Sequence, residues 1–259
     1  MIVINPSKSN VMKRKFNQSN RLLLGSALAF LLLLNACQQG PDPLPGQPVY
    51  DDVLENAGEI HNQLIAYYYA NRTCSSPSPE ILFDELMELS FQYLVSQGYR
   101  ESSLMDAKVQ IAQTYGPSPL KGAGGNGFST DPATFISQLE ETGLFSREFL
   151  EEMDNMLKFA GKKEERKEIK KYVNHQFASI LFDRETDRDA QQLFINIFNG
   201  SYEYWESVDQ GSLKGTHLKP SSWVIINDGI GGILGMVFGP VGSIVTATVF
   251  SVGTNEEIR

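Results

Sequence analysis

Between Asp228 and Glu256 the chain runs for 27 residues without a charged side chain. Within that run Gly231, Gly235, Gly239, Ser243, Ala247 and Ser251 recur at every fourth position. On a helix such positions share one face, and small residues there let another backbone approach closely. The other faces carry Ile233, Leu234, Val237, Phe238, Ile244, Val245 and Phe250. A helix that is apolar all round is buried in protein or in lipid. Proline lacks an N–H and clashes one turn back, so Gly239-Pro240 predicts a break, with Pro240 at the first position of a second helix. Two short arms result, each too short to span a bilayer alone, and a hairpin over 223–254 docked on the rest of the protein or in an oligomer fits them. A membrane-embedded segment is the alternative, with Trp223 as an interface marker. The β-branched residues of Ser243 to Val252 also leave a strand open there.

This repeat resembles the glycine-zipper segments of membrane-inserting proteins and of two-peptide bacteriocins over about 25 residues. The resemblance implies helix packing or oligomerisation through the six small positions, with a homo-oligomer or a membrane contacted through residues 229–253. It does not specify an activity.

From Asp51 to about Val208 the apolar spacing is helical almost throughout. Val53, Leu54, Ala57, Ile60, Leu64, Ile65 and Tyr68 form one stripe. Ser78-Pro79 opens a second helix with Leu82, Leu86, Leu89 and Tyr93 on one face, stopped near Gly98. A shorter one carries Leu104, Lys108, Ile111 and Tyr115 and halts at Gly116-Pro117. The glycine-rich stretch from Ser118 to Thr130 lacks the Gly-Lys-Ser/Thr ending of a phosphate loop and is expected to connect. Asp131-Pro132 starts a helix ended by Gly143, and Ser146 starts another, with Phe145 and Leu150 placed as a hydrophobic staple. The mixed-charge stretch Lys162 to Lys171 leads into a helix with Ile169, Tyr172, Val173, Gln176 and Ile180 inward. The last helix, capped by Thr186 or Asp187, carries Ala190, Leu193, Phe194, Ile197, Tyr202 and Trp205. The expected fold is all-α, a bundle of about seven amphipathic helices over 51–208 with a glycine-zipper helical hairpin behind it. Residues 209–222 are expected to link the two, and 255–259 to form a polar tail.

At the other end, Lys13-Arg14-Lys15 precedes an apolar run from Leu22 to Leu34, which is followed by Asn35-Ala36-Cys37. The order of basic, apolar and cleavable parts is that of a secretory signal. Leu34-Asn35-Ala36-Cys37 resembles the bacterial lipobox, with Asn35 a mild departure. The resemblance implies cleavage before Cys37, so that 1–36 is a signal peptide, and acylation of that cysteine, including a palmitate-type chain. Two or more chains give a stable membrane anchor. Met12 would open a more compact signal than Met1. Residues 37–50, rich in proline and glycine, are expected to be a flexible tether. Gln38 after the cysteine resembles an outer-membrane rather than an inner-membrane sorting signal.

The first 36 residues hold five basic and no acidic residues, so the exported part keeps 17 basic against 31 acidic, a formal charge of −14. That surface repels phosphate backbones and makes nucleic acid a poor partner. With Cys37 lipidated, Cys74 has no partner in the chain. His61, His175 and His217 show no zinc spacing, and no Gly-x-Ser-x-Gly is present. Asp183, Glu185, Asp187 and Asp189 fail as a calcium loop, because Arg188 stands where glycine is needed. No metal, cofactor or catalytic residue is assigned. The expectation is a non-enzymatic, lipid-anchored envelope protein. A bacteriocin-like or pore-forming effector and an envelope-polymer hydrolase are the alternatives.

Overall fold

The computed structural model describes residues 50–73, 79–99, 105–110, 132–162, 165–207 and 222–257. Cys37, Cys74, His217, the 118–130 loop and most of the 37–50 and 209–222 stretches lie outside the described residues. The fold is all-α, as the periodicity predicts. In chain order the helices are α1 (Tyr50–Asn71), α2 (Pro79–Ser96), α3 (Pro132–Thr142), α4 (Arg147–Ala160), α5 (Arg166–His175), α6 (Glu185–Ser207), α7 (Ser222–Gly235) and α8 (Gly239–Glu257). A further helical stretch covers 105–110.

The punctuation follows the residues. Gly98 and Gly143 take positive φ values of 91° and 64° just past α2 and α3, a conformation glycine adopts without a Cβ penalty. Ser146 caps α4, its side chain accepting the Phe149 N–H at 3.1 Å. The ring that Phe145 stacks on is Phe149, at 5.2 Å between centroids, while Leu150 is only half-buried. Asp187 is not a cap. It lies in the first turn of α6, buried, and its Oδ1 accepts the Ser146 N–H at 3.0 Å, tying the start of α6 to the start of α4.

α1 and α6, the two longest helices, pack against each other, and α7 and α8 close over them, with α2 beside α8. α3, α4 and α5 follow one another along the outside, and α5 returns to α6. α1 buries its expected stripe except Ile60, which is half-exposed. α2 is rotated from expectation: Phe83, Met87 and Leu94 are buried with Leu82 and Leu86, whereas Leu89 and Tyr93 are half-buried. The face towards α1 and α8 is wider than a single stripe. Gln176 is exposed at the end of α5.

The tail forms two helices joined by a 3₁₀ turn, Met236–Phe238, and by Gly239 at φ 79°. α8 is helical through its β-branched residues because nearly all of them are buried, and packing there overrides a weak propensity. At 1.5 Å per residue α7 is about 21 Å long and α8 about 28 Å. The second arm is therefore longer than expected and close to the thickness of a hydrocarbon core.

Candidate functional site

α7 and α8 are antiparallel, and their small residues face each other. A Cβ on Gly231 would stand 2.9 Å from the Ala247 Cα, and one on Gly235 would stand 2.6 Å from the Ser243 Cα. Both are closer than real Cβ contacts allow. The six-position repeat is thus two halves folded face to face, not one continuous face. Gly239 is not a packing residue: its Cβ would meet nothing within 4 Å, and it serves the turn. The opposite side of α7 is equally close to α6, with Gly229 against the Phe194 ring and Gly232 against the Ile197 side chain.

One turn before Gly231, on the same seam, sits Asp228. It is fully buried, and so is His61 from α1. His61 Nε2 lies 3.8 Å from Asp228 Oδ2. That oxygen accepts hydrogen bonds from the Ser251 hydroxyl of α8, at 2.9 Å, and from the Ser201 hydroxyl of α6. Four helices therefore each contribute one polar side chain to a point in the core. Among the described residues, Asp228 Oδ1 and His61 Nε2 have no partner within hydrogen-bond geometry, although the Ala247 backbone lies near the imidazole. The Trp205 indole also approaches the carboxyl, though its N–H misses hydrogen-bond geometry. His61 Nδ1 meets Asn62 Oδ1 at 3.2 Å, and Asn62 in turn donates to the Gly200 carbonyl at 2.9 Å.

Burial governs the charges. It pushes the Asp228 carboxyl up to about 8, against the smaller opposing effects of Ser201, Ser251 and Trp205. It pulls the His61 imidazole down to about 4, against the support of Asn62 and the Ala247 carbonyl. At neutral pH the carboxyl holds its proton and the imidazole holds none in excess, so the cluster is uncharged. A buried ion pair would have to repay the desolvation of both groups, and at 3.8 Å, beyond hydrogen-bond distance, it does not.

The residue types are those of a hydrolytic triad, but the wiring is not. Both hydroxyls donate to the carboxyl group and neither is hydrogen-bonded to the imidazole, so the cluster pairs no serine with a base. A groove of about 280 Å³ elsewhere is lined by Ile180, Leu181, Phe182, Arg188, Gln191 and Ile195 among others. Two of its polar side chains serve the backbone: Gln191 donates to the Phe177 and Ile180 carbonyls, and Arg188 to those of Phe182 and Asp183. His175 is exposed at the end of α5. Among the described residues no three His, Cys, Asp or Glu side chains gather as a metal site.

Two features escape a reading of the sequence alone. Asp228 counts there as the charged edge of the apolar run, yet it lies inside the core. Its position three residues before Gly231, on the small-residue face, is the signal that could have placed it. The second is a backbone crossing of α1 and α6, where a Cβ on Gly200 would stand 2.7 Å from the Gly58 Cα. Asn62 and Asn196, each four residues from one of these glycines, bridge the same crossing, with Asn196 donating to the Leu54 carbonyl at 2.7 Å. No protein-family model, curated protein or solved structure matches the chain.

Proposed function

We propose that this chain is a non-enzymatic bacterial envelope lipoprotein, anchored through acylated Cys37 in the outer membrane, with the 223–254 hairpin as the packing spine of its helical domain. The lipobox at 34–37 supports the address. The observation that carries the role of the hairpin is its burial: α7 is buried from Val224 to Gly235 and packs on α6 and α8. Within one chain Gly231 and Gly235 already have Ala247 and Ser243 against them. Intramolecular packing thus uses the face that self-association would need.

Labelling with fatty acid and membrane fractionation test the anchor. The wild-type chain should take up label and pellet with membranes, and Cys37→Ala should do neither. A Cys37→Ala protein that still carries label and still pellets would refute the assignment.

A second reading, membrane contact by the hairpin in a bacteriocin-like or pore-forming role, has one observation of its own. The stretch Ser222–Asn255 is long and apolar enough to cross a membrane, and only 67% of its most apolar window is buried. Dye release from phosphatidylethanolamine–phosphatidylglycerol vesicles by the full chain lacking its lipid would favour this reading. Intact vesicles would leave packing as the role of the hairpin.

A further inference from the structure

The hairpin is held to the rest of the bundle by apolar packing, by a hydrogen bond from Asn255 at the end of α8 to the Tyr69 hydroxyl of α1 at 2.6 Å, and by one fully buried polar point. Ser251 and Asp228 belong to the hairpin, while His61 and Ser201 belong to α1 and α6. Such a point contributes little when it is satisfied and costs a great deal when it is charged and unpaired. The groups facing Asp228 are few. From α1 it meets His61, from α6 Ser201 and Trp205, and from α8 Ser251. Among the described residues no lysine or arginine pairs with it.

We propose that His61, Ser201, Asp228 and Ser251 form a proton-dependent latch, in which loss of the Asp228 proton frees the α7–α8 hairpin from the bundle while α3, α4 and α5 stay folded.

Geometry supports both halves of this statement. An ionised Asp228 would keep two hydroxyl donors and gain no cation, because the neighbouring imidazole is neutral wherever the carboxyl ionises. Leaving the bundle gives that carboxylate water, and the hairpin carries no other charge between 229 and 255 to oppose movement into another apolar environment. The outer helices keep contacts that do not involve the hairpin. Phe149 packs on Phe145 and Phe182, and Phe159 stacks on Tyr172 at 4.2 Å. The inference stands on the docked hairpin and does not depend on lipid at Cys37.

Hydrogen exchange read by mass spectrometry on the full exported chain tests it, with rates corrected for intrinsic exchange. Between pH 6 and pH 9 the opening equilibrium of 224–252 should rise about 100-fold, one decade per pH unit until the carboxyl ionises in the docked state as well. Protection of 147–160 in α4 should not change. Asp228→Asn, neutral at both values, should keep its hairpin protected throughout. Loss of protection in α4 together with the hairpin would overturn the latch and leave Asp228 as a group that affects only global stability. Unchanged protection of the wild-type hairpin, or the same pH response in Asp228→Asn, would overturn it too. Should Asp228→Asn fail to fold, infrared spectroscopy of the wild-type protein decides. A protonated-carboxyl stretch present at pH 6 and gone at pH 9, in step with hairpin exchange, is the expected result, and its absence at pH 6 would overturn the proposal.

Discussion

At the scale of single residues, the fully buried Asp228 and His61 give stability a defined pH dependence. In the folded chain Asp228 holds its proton up to about pH 8, whereas its ordinary value is 3.8, so the folded state binds more protons between those limits and stability falls as pH rises. His61 is the opposite case. Its folded value of about 4 lies below the ordinary 6.5, so across that window the unfolded state binds more protons and stability rises with pH. The two slopes cancel between about pH 4 and 6.5. From pH 6.5 to 8 only the Asp228 slope remains, and about 2 kcal/mol should be lost. Urea unfolding at several pH values checks this, and Asp228→Asn should abolish the decline above pH 6.5. A second residue-scale expectation concerns Ser146. Its replacement by alanine removes the side-chain acceptor for the Phe149 N–H and should cost about 1 kcal/mol in the same assay.

Between elements, the close approaches decide which glycines can change. Gly235→Leu would drive a side chain into the α8 backbone at Gly242 and Ser243, which cannot yield as a flexible side chain would. It should cost at least about 3 kcal/mol or prevent folding. Gly239→Ala meets open space but must hold φ 79°, so its cost should be about 1 kcal/mol. Thermal unfolding of the two variants separates these mechanisms; equal losses would contradict the placing of Gly239 in the turn. The boundaries of the elements were legible in the sequence because their signals are local. Pro132, Gly143, Ser146 and Gly98 act on their own backbone, and Gly239-Pro240 marks the turn of the tail. The facing of one element on another was not legible. Nothing near Gly58 announces Gly200, and a four-residue repeat is equally compatible with one long face and with two halves folded together. Tertiary pairing alone turns His61 and Asp228 towards the same point.

For the molecule as a whole, the architecture inverts the usual relation between a domain and its tail. The last apolar segment of the chain packs on α1, α2 and α6, so the bundle of amphipathic helices has its hydrophobic face completed by the hairpin. This arrangement gives an apolar segment a place in water without a bilayer, and a lipid on Cys37 would make membrane attachment independent of it. The architecture rests on docking of the hairpin within its own chain. Hydrogen exchange on residues 37–259 carrying Cys37→Ala, at pH 6 in buffer without detergent, tests it. The chain should be a monomer in which amides from 224 to 252 are among the slowest to exchange. A chain that needs detergent to stay monomeric, or whose hairpin amides exchange as fast as those of an unfolded peptide, would contradict it.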